Sequence, residues 1–395
     1  MPLFKKCDAP SLANELREKG VYPYHHELES RQDAEVIMEG KRRIMLGSNN
    51  YLGLTVDPEV TEAGIQAIRQ YGTGCSGSRF LNGTLKLHTE LEKTLAAFTG
   101  YESAIVFSTG FQSNLGLLAA IVGRNDTAIC DRENHASIYD GCKLSFGRMT
   151  RYHHNDMGDL EAKLACLPLD SGKLIVTDGV FSMSGDVCRL PDIVELAEKY
   201  QARVLVDDAH GLGVIGPGGR GTAAYFGLTD RVDLTMGTFS KSLASLGGFC
   251  AGSERVVDFI RHSSRPYIFS ASITPASCAT ALAALRVIER EPERVERLHS
   301  LAAYLRKGLR KRGVPILEAA TPIVPFYTYE VYDTLDIARE LYDRGVYVNP
   351  VLPPACVPGE CLLRCSLMAT LTEALLDEAT EIIASVMDAR GLTRK

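Results

Sequence analysis

The chain has 395 residues, of which 45% are hydrophobic and 23% charged, with a formal net charge of −6. That length holds one large domain with a full core and a smaller companion. The acidic balance leaves no basic excess to neutralise phosphates, which argues against a nucleic-acid binder.

The opening residues, Met1-Pro2-Leu3-Phe4-Lys5-Lys6, lack the apolar stretch of a secretory signal. A polar arm is expected over 1–45, with a helix at 12–19. From 46 to 275 short β-branched runs alternate with helical patterns, the signature of a mostly parallel sheet wrapped by helices. Strands are expected at 104–107, 127–130, 174–177, 203–206 and 234–236, and helices at 86–98, 114–122, 190–200 and 256–262. The longest apolar run, 104–123, is broken by Ser108, Thr109, Gln112, Ser113 and Asn114 and is no membrane span. The pattern then turns to helices at 275–291 and 295–312, short strands at 323–327 and 362–366, and a last helix at 372–389. That makes a smaller α+β domain over 276–395. Eleven cysteines, with no CxxC pair and no repeated spacing, read as free thiols in a reducing compartment, so a soluble cytoplasmic protein is expected.

Three short motifs carry chemistry. Lys241 lies in Gly237-Thr238-Phe239-Ser240-Lys241, just after a strand, with Thr238 and Ser240 as hydroxyl neighbours suited to a phosphate. Asp207 ends the apolar run Val204-Leu205-Val206, where a carboxylate faces the ligand crevice of a parallel sheet. Ser108-Thr109-Gly110-Phe111 is a strand-to-helix turn, whose backbone N–H groups and dipole bind an anion without a basic side chain. His210 follows Asp207 by three residues, and His135 follows the strand at 127–130; a neutral imidazole is flat enough to stack on a ring. Singly, such a lysine is a solvated charge and such histidines are structural. Together they supply the amine, electron-sink partner and phosphate anchor that pyridoxal 5′-phosphate needs. The pairs His25-His26 and His153-His154 lack further ligands at metal-site spacing and read as surface; no metal is expected.

Over about 47–372 the sequence resembles the α-oxoamine synthases, pyridoxal enzymes of fold type I. The likeness runs through Asn49-Asn50-Tyr51-Leu52-Gly53-Leu54, Gly77-Ser78-Arg79-Phe80-Leu81-Asn82-Gly83-Thr84 and His135-Ala136-Ser137. It continues in Gly179-Val180-Phe181-Ser182-Met183, Val206-Asp207-Asp208-Ala209-His210 and Thr238-Phe239-Ser240-Lys241. The resemblance implies that Lys241 bears the cofactor and takes the Cα proton, that His135 stacks on its ring, that Asp207 pairs with the ring nitrogen and that His210 contacts its O3′. It also implies cofactor contacts from Ser182, Thr238 and Ser240, phosphate binding by the Gly110 and Phe111 backbone, and a homodimer in which Ser272 reaches the neighbour's phosphate.

The family condenses an amino acid with an acyl-CoA, releasing CoA and CO2. Phe239-Ser240 before the lysine, Arg265-Pro266-Tyr267-Ile268-Phe269 and Leu363-Arg364-Cys365-Ser366 are similar to its serine-using, soluble bacterial members. That likeness implies L-serine and a long-chain acyl-CoA (palmitoyl-CoA) as substrates, 3-ketosphinganine as product, and peripheral membrane contact for that lipid. Arg364 is expected to clamp the substrate carboxylate, with Asn50 and Ser78 beside it. The alternative within the family is a member using glycine or alanine, of the glycine C-acetyltransferase or 8-amino-7-oxononanoate synthase type. An aminotransferase or lyase of the same fold, or a subunit without catalysis, are readings from other classes. One position departs from the pattern: Leu352 precedes Pro353-Pro354 where some serine-using members carry an arginine.

Overall fold

The computed structural model describes residues 3–394. Residues 1, 2 and 395, at the ends of the expected arm and C-terminal domain, lie outside the described residues.

Seven strands form the central sheet, in the order Ser103–Phe107, Gly248–Gly252, Leu234–Thr238, Arg203–Asp207, Lys173–Asp178, Thr127–Asp131, Arg148–Tyr152. Gly248–Gly252 runs antiparallel to both neighbours, and the other adjacent pairs are parallel. Strand alternation sorts the apolar residues onto two faces. Ile129, Ile175, Val204 and Val206 pack with Leu160, Leu164, Ile193 and Val194 from the helices Met157–Ala165 and Leu190–Lys199. Cys130, Val176 and Leu205 pack with Leu117, Ile138 and Ile260 from Gly110–Ile121, Ala136–Leu144 and Glu254–Ser263. A sheet covered on both faces leaves its carboxyl-end edge as the accessible crevice.

All five expected central strands lie within observed ones. Arg148–Tyr152 was not expected because it is an edge strand, half charged and mostly exposed. Gly248–Gly252 escaped because glycines end it, although its residues are buried. The helices Pro58–Tyr71, Ala136–Leu144, Met157–Ala165 and Val331–Asp343 are further additions.

The C-terminal part has its own antiparallel sheet, Ile323–Tyr329, Cys361–Ser366 and Asn349–Val351, with the helices Glu293–Lys311, Val331–Asp343 and Glu373–Ala389 nearby. Two boundaries differ from expectation. Within the expected arm, Glu35–Met38 and Lys41–Met45 form a small sheet with Val346–Tyr347, because the alternating burial of 35–38 needs a partner layer. The helix Pro275–Arg290, counted with the C-terminal domain, packs on Pro58–Tyr71 and Lys86–Thr99 of the large domain. Among the described residues no helix is long and apolar enough to cross a membrane.

Candidate active site

Four elements deliver the chemistry to one place. The strand Arg203–Asp207 ends at Asp207, and Leu234–Thr238 runs through Thr238 into the turn that holds Lys241. Gly110 opens the helix Gly110–Ile121, and His135 is the N-cap of Ala136–Leu144. With His210 and Asp178 these residues line a cavity of about 260 Å³ at the carboxyl ends of the strands. A larger cavity, about 850 Å³, lies at the amino ends between Tyr101, Val122, Leu174 and Phe259. Its buried lysine, Lys173, already donates to the carbonyls of Leu169 and Ser171. Chemistry, not size, picks the site.

The anion turn is close-packed. Thr109 caps the helix by accepting from the Gln112 N–H at 3.1 Å. A Cβ on Gly110 would stand 2.7 Å from the Thr238 side chain, and one on Gly248 2.6 Å from the Gly110 Cα. Only hydrogen at both positions lets the helix start meet the lysine turn. Thr238 Oγ1 lies 3.0 Å from Ser240 Oγ and donates to the Gly247 carbonyl at 3.2 Å.

Burial lowers the Lys241 ammonium to about 8, with Asp207 opposing and Arg364 reinforcing the shift. A fraction of that amine is therefore free base near neutrality. Asp207 is 3% exposed; its Oδ2 accepts from Asn114 at 2.7 Å and its Oδ1 from the Ala209 N–H at 3.1 Å. Burial, with Asp207 beside it, pushes the neighbouring Asp178 carboxyl up. Burial and the Lys241 and Arg364 charges push His210 well below the usual histidine range. His135 is also lowered, by desolvation at the cavity wall, with Asp207 opposing.

Arg364 lies in the strand Cys361–Ser366, 5% exposed, without an ion-pair partner among the described residues. Its Nη2 donates to Asn49 Oδ1 at 2.9 Å and to Tyr51 Oη at 3.3 Å, while its buried Nε has no partner. A guanidinium in that state is prepared for a carboxylate. The amide of Asn50, expected beside the substrate carboxylate, donates to the Gln32 carbonyl and to Thr55 Oγ1. The adjacent Asn49 is the asparagine that meets Arg364.

Ser182 sits in the turn after Val180, off the cavity lining, and Val180 lines it. Ser272 and Ser78 lie outside the lining too. Ser272 Oγ donates to the Gly77 carbonyl at 3.2 Å, Ser78 bridges to Ala271, and the buried Ser78 Oγ has no partner. The Ser108 hydroxyl donates to the Ala271 carbonyl at 2.5 Å, tying this segment to the anion turn. Leu352 follows the strand Asn349–Val351, half-buried.

Sequence reasoning passed over Tyr51, whose phenol touches His210, although Tyr51 stood inside a quoted motif. It also passed over Asn114 and Ser137, and it misplaced His154. That ring lies between Asp131 at 3.0 Å and Asp186 at 3.1 Å, with its side chain 22% exposed, not on the surface. Among the described residues no cluster suited to a metal ion occurs.

The residues fit a flat, phosphate-bearing aldehyde. A buried amine of lowered basicity, a carboxylate opposite it, an imidazole at the wall and a helix start without side-chain obstruction meet in one cavity.

The family model described as aminotransferase class I and II matches residues 41–383. A serine palmitoyltransferase of Sphingobacterium spiritivorum is 52% identical over 376 residues, covering 95% of this chain and 94% of its own. An 8-amino-7-oxononanoate synthase of Geobacter sulfurreducens stands lower, 42% identical over 380 residues, 96% of this chain and 97% of its own. Among solved structures, SPT with PLP internal aldimine superimposes at a TM-score of 0.95 with 38% identity, covering 98% of each chain.

Proposed function

The chain belongs to the aminotransferase class I and II family, among its α-oxoamine synthases of fold type I, and we propose that it condenses L-serine with a long-chain acyl-CoA. The products of that reaction are 3-ketosphinganine, CoA and CO2. The observation that carries the reading is the convergence of Lys241, Asp207, His135 and the Gly110 helix start on one cavity, with Arg364 free of a counter-ion nearby. The relatives favour the serine reading over the oxononanoate-synthase alternative, since the serine-named one is ten points more identical, 52% against 42% over comparable spans.

Bound there, pyridoxal 5′-phosphate supplies an aldehyde for the amino acid and an electron sink for charge released at Cα. Lys241 would hold the cofactor through its Nζ and, as a free amine, would take the Cα proton, a role suited to an amine near pKa 8. Asp207 would keep a proton on the ring nitrogen, His135 would lie against the ring, and the Gly110 and Phe111 N–H groups would hold the phosphate. Thr238 and Ser240 add hydroxyls beside it. Arg364 and Asn49 bind the serine carboxylate. Phe111 and Leu246, 43% and 56% exposed at the cavity, offer apolar surface to an acyl chain.

The reading includes a homodimer. Phe80, Leu81 and Phe269 are 45%, 78% and 79% exposed, and the Ser78–Ala271 bridge sets their two segments side by side. An apolar patch there suits a second copy, with Ser272 and Ser78 presented to its site. A cytoplasmic location, with transient membrane contact to discharge the lipid, completes the proposal.

Purified protein loaded with PLP, given palmitoyl-CoA and serine, glycine or alanine in turn, tests it. Serine-dependent CoA release with a 3-ketosphinganine mass supports the reading; turnover with glycine or alanine but not serine overturns the serine assignment.

A further inference from the structure

The buried polar groups behind the cavity are connected in one direction. The Asn114 amide nitrogen lies 2.7 Å from Asp207 Oδ2 and 2.8 Å from Ser137 Oγ. Turning that amide would set two acceptor oxygens 2.7 Å apart, so each of its N–H groups donates, one to Asp207 and one to Ser137. The cost is visible: Asn114 Oδ1 is left buried without a protein partner, an arrangement that calls for a reason. Ser137 Oγ, accepting from Asn114, lies 2.8 Å from His135 Nδ1, where its O–H can donate. The Ser137 backbone N–H points at the same Nδ1 from 3.3 Å, and a backbone N–H only donates. Two donors aimed at Nδ1 leave it no proton of its own. Asn114 and Ser137 are buried, at 0% and 1% exposure, so water is kept from the Asn114 end of the chain.

We propose that Asn114 and Ser137 are positioning residues, whose one-way chain fixes His135 as the Nε2–H tautomer while the same amide orients Asp207. His135 then presents a donor to the cavity, suited to a substrate carboxylate, and cannot act there as a base. The ring-stacking histidine and the ring-nitrogen partner are set by one side chain, so neither turns without the other. The inference rests on the Lys241 cavity being the cofactor site.

The test is the protonation pattern of His135, read by nitrogen NMR on histidine-labelled protein with and without added PLP, the signal assigned with His135→Asn. The expected wild-type result is an unprotonated Nδ1 and a protonated Nε2. Ser137→Ala is expected to give a mixture of tautomers and to slow deuterium exchange at serine Cα about tenfold. Pyridoxyl labelling of Lys241 should stay unchanged in that variant. A wild-type His135 protonated on Nδ1 overturns the proposal, and so does a Ser137→Ala protein with wild-type tautomer and exchange rate. The wild-type reading decides the matter even where the variant fails to fold. Failure of the parent reading is distinct: Lys241 then takes no pyridoxyl label at all.

Discussion

Tyr51 Oη lies 2.7 Å from His210 Nδ1, and Arg364 Nη2 lies 3.3 Å from the same oxygen. Arginine only donates, so the phenol accepts from Arg364, and its own O–H is left to donate to His210 Nδ1. That leaves His210 with its hydrogen on Nε2, a donor available to the cavity it lines. The substrate-carboxylate clamp and the expected O3′ contact are thereby joined through one buried hydroxyl.

Tyr51→Phe removes that hydroxyl and leaves His210 Nδ1 without a donor. The expected outcome is about a tenfold loss of kcat, with about 1–2 kcal/mol of stability lost for the unpartnered nitrogen. Steady-state kinetics and thermal melts read the two effects separately.

Asn49 and Asn50 are expected to part company. Asn49→Ala loses the oxygen beside Arg364 and should raise KM for serine about tenfold with little change in melting temperature. Asn50→Ala cuts bonds to Gln32 and Thr55 and should lower stability by about 1–2 kcal/mol first. The opposite pattern would return the substrate contact to Asn50.

Much of this site was legible beforehand because β-branched runs mark buried parallel strands and their last residues mark the crevice. Asp207 follows from that rule directly, and Lys241 from the hydroxyl-flanked turn after the next strand. The supporting polar groups did not follow. Asn114 sits in a helix, where a polar residue looks solvated, and meets Asp207 across 93 positions of chain. Asn49, Asn50 and Tyr51 are consecutive, and only the backbone path decides which faces Arg364. The edge strand Arg148–Tyr152 was hidden because its charges resemble a loop. His154 was misjudged because its partners, Asp131 and Asp186, come from distant turns.

His154 supplies a pH prediction. Burial alone would lower this imidazole, but its hydrogen bonds to Asp131 and Asp186 carry it up to about 10. A raised value means stability that is fully present below the ordinary histidine pKa of about 6.5 and lost as pH rises through about 10. His154→Gln should therefore cost about 2 kcal/mol at pH 7, because Asp131 is left buried without its counter-charge. Above pH 10 the variant and the parent should melt closer together. A gap that stays constant up to pH 11 would contradict a charged His154.

Arg79 and Glu92 form a two-pronged pair at 2.9 and 3.1 Å, with side chains only 7% and 10% exposed. Arg79→Ala leaves the buried Glu92 carboxylate with only the more distant Arg261, at 3.9 Å, and should cost about 3 kcal/mol. Because Arg79 follows Ser78 in the segment proposed to face the second copy, sedimentation should also show the dimer loosening.

Capture of the cofactor should follow the Lys241 amine. Only its free base attacks an aldehyde, so the rate of PLP uptake by cofactor-free protein should climb through pH 8 and level off by about pH 9. A rate still rising at pH 10 would mean an ordinary lysine.

The most direct test of the whole account is borohydride reduction of the PLP-loaded protein followed by peptide mass spectrometry. The account predicts a pyridoxyl group on the peptide holding Lys241, and none in a Lys241→Ala variant. An unlabelled Lys241 peptide, or a label on another lysine that survives Lys241→Ala, would contradict it.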